Sequence, residues 1–119
     1  MKILNPCLYI GLGSAVYALV KTDGQLHLHE SLKARIRLVE EPHGELAMQS
    51  FQMREHYQTT IEDAYSFAMS CFASHRNELN AATRKYLVKV VEKIAEADEQ
   101  VSGKEIAFIR RFRRDIRKI

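Results

Sequence analysis

The sequence predicts an all-α domain of about six helices, and three observations carry that prediction. Apolar residues recur at helical spacing in six separate segments. The breaks between these segments carry cap and turn residues such as Glu40-Glu41-Pro42-His43-Gly44 and Thr59-Thr60. No segment shows the strict apolar–polar alternation of a half-buried strand. The 119 residues suit one domain with a real core, spanning 1–119.

Pro6 suits the first turn of the first helix, because proline lacks an N–H that would be unsatisfied there. Leu12, Val16, Leu19 and Val20 then recur at helical spacing up to Lys21, and Gly24 is a candidate stop. Gly11-Leu12-Gly13 is a fragment of a dinucleotide fingerprint with no strand before it, so it carries no nucleotide site. A second helix is predicted from about His29 to Val39, with Leu28, Leu32, Ile36 and Val39 on one face. A third runs from Glu45 to Tyr57, with Leu46, Ser50, Met53 and Tyr57 along a weak stripe.

Thr59 or Thr60 caps the fourth helix, with Glu62 and Asp63 in its first turn. That helix has the strongest pattern in the chain: Ile61, Ala64, Tyr65, Ala68, Met69 and Phe72, ending near His75. Asn77 or Asn80 caps the fifth, whose stripe is Leu87, Val90, Val91, Ile94 and Ala95. Ser102-Gly-Lys-Glu105 reads as a capping box, in which the hydroxyl and the carboxylate each accept from the other residue's backbone N–H. The last helix carries Ile106, Ile109, Phe112, Ile116 and Ile119.

Composition sets the class. Hydrophobic residues make up 46% and charged residues 28%, which excludes a disordered chain. Formal charge is +3, but Arg110, Arg111, Arg113, Arg114, Arg117 and Lys118 crowd into the final helix, leaving the remaining chain slightly acidic. Cys7 and Cys71 lack CxxC spacing and suit a reducing, cytoplasmic compartment. The uncharged run from Ile3 to Val20 touches the length of a membrane span, yet Asn5-Pro6 interrupts it and Gly11, Gly13 and Ser14 dilute it. A buried core helix is the expectation.

One pattern is written twice. At an offset of 75, Leu12, Val16, Asp23, Gln25, Glu30 and Arg35 fall on Leu87, Val91, Asp98, Gln100, Glu105 and Arg110. Both copies, about 12–38 and 87–113, read as a helix, an acid, a short turn, and a second helix opened by a Glu. A helical spacer, 43–76, lies between them. Extending each apolar stripe by one step lands on Asp23 and on Asp98, at helix C-termini where the macrodipole opposes a carboxylate by a few tenths to about 1 kcal/mol. Three compensations remain open. The following backbone N–H groups could donate hydrogen bonds to the carboxylate. A divalent cation could bind Asp23, Glu30, Asp98 and Glu105, with Glu99 as an added ligand. Arg35 and Arg110 could pair with the acids. His27 and His29 beside Asp23 and Glu30 add imidazoles suited to zinc, nickel or iron, although the second copy has Ser102 and Lys104 instead.

Ile94-Ala95-Glu96-Ala97-Asp98 followed by Val101-Ser102-Gly-Lys-Glu105 resembles the TerB-like family of tellurite-resistance proteins. The likeness is closest over Leu87 to Phe112 and looser over Val16 to Leu38, where Thr22-Asp23-Gly24 carries it. The resemblance implies a small, internally duplicated helical domain with a role in tellurite or stress response. It also implies acidic positions for a divalent metal at Asp23, Glu30, Asp98 and Glu105, and clustered carboxylates suit calcium, magnesium or manganese before zinc. Two positions depart from the family pattern: Glu99 stands for the usual Gly and His27 for the usual Ser.

No nucleophile stands with its base at a suggestive spacing, so the expectation is a non-enzymatic module working through other proteins. The competing expectation is a helical adaptor for an anionic partner, met through Arg110, Arg111, Arg113 and Arg114. Neither a helix-turn-helix pattern nor interleaved aromatics favours nucleic acid.

Overall fold

Helix α1, Pro6–Lys21, is the axis of the molecule. In the computed structural model, which describes residues 3–22, 28–97 and 101–119, nearly every α1 side chain from Leu8 to Leu19 is buried. A helix that is apolar all round must be enclosed, and α1 packs chiefly against α3 (Gly44–His56) and α4 (Ile61–Ser74). Helices α2 (Leu28–Val39), α5 (Ala81–Glu96) and α6 (Gly103–Lys118) complete the bundle, with a 3₁₀ turn at Arg76–Glu78. No strand occurs among the described residues, and no helix among them is long and apolar enough to cross a membrane. The radius of gyration is 12.8 Å, close to the roughly 13.5 Å of a single folded unit of this length.

Small residues on α1 set how closely its neighbours approach. A Cβ on Gly13 would lie 2.0 Å from the Ala47 carbonyl oxygen of α3, and one on Gly11 would lie 2.8 Å from Cys71 Cβ of α4. The Gly-Leu-Gly stretch is thus a pair of helix-crossing notches. Backbone carbonyls at these crossings receive buried hydroxyls. Ser14 Oγ donates to the Ala64 carbonyl at 2.7 Å, and Ser50 Oγ to that of Ile10 at 2.6 Å. Tyr17 and Lys21 both donate to the Thr59 carbonyl, at 2.7 and 3.0 Å, fixing the end of α1 on the α3–α4 link.

The caps follow the sequence. Asn5 Oδ1 accepts from the Cys7 N–H ahead of Pro6, Thr60 accepts from the Asp63 N–H, and Asn80 accepts from the Thr83 N–H. Ser102 and Glu105 form both arms of a capping box at 3.1 Å each.

Three stripes differ from expectation. Leu28, Leu32, Ile36 and Val39 share a face of α2, but that face is exposed, from 44% at Leu32 to 74% at Leu28. Ser31, Ala34 and Leu38 are buried instead, on the face of α2 that meets α1, α3 and α5. On α3 the buried face is Ala47, Ser50 and Phe51, and Met53 and Tyr57 lie outside. On α6 Phe108 is buried where Ile106 was expected, since Phe108 meets Tyr65 edge-on at 5.6 Å.

Candidate functional site

Helices α1, α2, α5 and α6 together line one small cleft. Val20 near the end of α1, Glu30, Lys33 and Ala34 of α2, Ile94 and Ala97 at the end of α5, and Glu105 of α6 line it. It encloses about 20 Å³, room for one water molecule or ion. Glu30 and Glu105, 75 residues apart in the chain, therefore face a common space. Each sits in the first turn of its helix, where the macrodipole favours a carboxylate. Glu105 is buried, and its Oε1 accepts from the Ser102 N–H. Lys33 contributes one ammonium beside the two carboxylates.

Asp23, His27, Asp98, Glu99 and the predicted stop at Gly24 lie outside the described residues. Val20, Glu30, Ala97 and Glu105, on the helices to either side of 23–27 and 98–100, all line the cleft. His29 is exposed in the first turn of α2. Among the described residues alone, no group of three or more His, Cys, Asp or Glu is placed to hold a metal ion. Arg35 turns Nε toward the Ser31 carbonyl at 3.4 Å.

The arginines of α6 divide. Arg111 grips Glu62 of α4 with two hydrogen bonds, at 2.7 and 2.9 Å, and lies 3.9 Å over the Tyr65 ring. Tyr65 donates to Asp115 at 2.6 Å, and Arg114 reaches the same carboxylate at 3.2 Å. The Arg111 hydrogen bonds hold Glu62 below its ordinary pKa. At Asp115 burial pushes the pKa up, but the Tyr65 and Arg114 hydrogen bonds and the charges of Arg114 and Arg111 bring it below the ordinary value. Arg113 pairs with Glu92 of α5. Arg110 has no ion pair among the described residues and shares a basic surface with Arg113, Arg114, Arg117 and Lys118. Of the four arginines expected to meet an anion, Arg111 is the one most fully engaged within the fold.

Sequence spacing did not reveal that Cys7 and Cys71 are neighbours across the α1–α4 contact. Burial, and then the charge and hydrogen bonding of Cys7, push the Cys71 thiol to about 12. At neutral pH it is a thiol, not the nucleophilic thiolate.

Comparisons with protein-family models, with curated proteins and with solved structures return no match. The resemblance to the TerB-like family rests on the residues quoted for it.

Proposed function

We propose that this chain is a non-enzymatic, TerB-like helical module that binds one divalent cation where its two duplicated acidic turns meet, and that it serves a stress response of the tellurite-resistance type. The observation that supports the reading is the shared cleft of Glu30 and Glu105, lined also by Val20 and Ala97 near the ends of α1 and α5. Two carboxylates against the single ammonium of Lys33 leave the cleft negative, and Asp23 and Asp98 add two more oxygen ligands in this reading. An all-oxygen set of carboxylates suits calcium, magnesium or manganese. Zinc would require His27 and His29 to replace oxygen donors.

Glu105 has a second role in its capping box, so its substitution needs care. Gln accepts the same backbone hydrogen bond and lacks the charge. Thermal melts of EDTA-stripped protein, with calcium, magnesium, manganese and zinc added back separately, test the proposal. An ion at 100 times its dissociation constant stabilises the fold by about 2.7 kcal/mol, enough to raise the midpoint by several degrees. That rise should disappear in Glu105→Gln and Asp98→Asn while the metal-free midpoint of Glu105→Gln stays near wild type. A midpoint unmoved by every ion would leave these acids as cap and turn residues only.

A further inference from the structure

We propose that the groove between α5 and α6 is a docking site for an acidic amphipathic helix of a partner protein. The groove has a volume of about 570 Å³. Val88 and Ile116 close its base, 8% and 1% exposed, so the apolar surface it offers is chiefly Ala81 and the aliphatic stems of its lysines and arginines. Its walls are cationic, with Arg84, Lys85 and Lys89 from α5 and Arg117 from α6. Glu92 is the one acid on the wall, and Arg113 already neutralises it. Lys85, Lys89 and Arg117 make no ion pair among the described residues. Arg84 donates from Nη2 to the Ile119 carbonyl at 3.3 Å, but its Nε–H is buried without an acceptor.

The occupant follows from shape and charge. From Ala81 to Glu92 the groove runs about 16 Å along α5, three turns of a guest helix. A helix laid into a groove presents anchors at i, i+3, i+4 and i+7 to the floor and its flanks to the walls. Here the aliphatic stems call for apolar anchors, and the cationic heads for Asp or Glu on both flanks. Single-stranded nucleic acid would be served by aromatic stacking platforms, and the groove lining includes no aromatic side chain. A flat bilayer would not reach a concave floor. The basic surface continues past Arg113 and Arg117 to Arg110, Arg114 and Lys118, which would steer an acidic segment toward the groove.

Fluorescence anisotropy with a labelled 14-residue helical peptide tests this, with leucine along one face and glutamate on both flanks. The full chain should bind it at micromolar concentration, more weakly as salt rises. The Lys85→Glu/Lys89→Glu variant, altered only at exposed positions, should lose at least tenfold in affinity, and Arg117→Glu on the opposite wall should also weaken binding. A companion peptide with serine in place of leucine should bind at least tenfold more weakly. Absence of binding at 100 µM, indifference to the charge reversals, or equal binding of the serine peptide would each overturn the proposal. So would tighter binding of a single-stranded oligonucleotide or of phosphatidylserine vesicles.

Discussion

A single missing methyl group, at Gly13, sets how closely α1 and α3 approach. A side chain on Gly13 would meet the backbone of α3 at Ala47, and a backbone cannot rotate aside as a long side chain can. On helix propensity alone Gly13→Ala would stabilise α1 by about 1 kcal/mol. Overpacking of a dense core costs about 1–3 kcal/mol or more, so the variant should be less stable than wild type by urea denaturation. A neutral or more stable variant would mean that α1 and α3 do not cross at this glycine. The caps at Thr60, Asn80 and Ser102–Glu105 were legible in the sequence, because a cap is a local exchange between residues two or three positions apart. Gly13's role was not, since its partner lies 34 positions away. For the same reason Cys7 and Cys71 look isolated in the chain and are adjacent in the fold.

Whole elements show where periodicity informs and where it misleads. The stripes of α4 and α5 turn inward as their spacing predicts, through Ala64, Tyr65, Ala68 and Phe72 and through Leu87, Val90, Val91, Ile94 and Ala95. Periodicity finds a face but not the neighbour it meets. On α2 the apolar row Leu28, Leu32, Ile36 and Val39 faces outward, and Ser31, Ala34 and Leu38 face inward. Substituting glutamine at Leu28 and Ile36 together should change stability by no more than about 0.5 kcal/mol per site. Leu38→Ala, at a fully buried position, should cost about 2–5 kcal/mol. Comparable losses from the two variants in chemical denaturation would contradict this orientation of α2. Helix α5 serves two surfaces: its first three turns wall the basic groove, and its last turn closes the acidic cleft.

At the scale of the whole molecule, the bundle gathers charges that the chain keeps apart. Glu30 and Glu105 become neighbours of one cleft only because α2 and α6 both approach the end of α5. The sequence marked both residues through its repeated pattern and left their meeting open, since no local rule sets the distance between two hairpins. The cationic residues of α5 and α6 collect along a separate groove, so an acidic partner and a divalent cation would occupy different sites. Direct calorimetric titration of EDTA-stripped protein with manganese, and separately with calcium, tests the metal reading at its centre. The expected result is saturable binding of one ion per chain, weakened at least tenfold by Glu30→Gln, which removes a cleft carboxylate without touching the Ser102–Glu105 box. Absence of saturable binding by either ion, or wild-type affinity in Glu30→Gln, would contradict a cation site between the two hairpins.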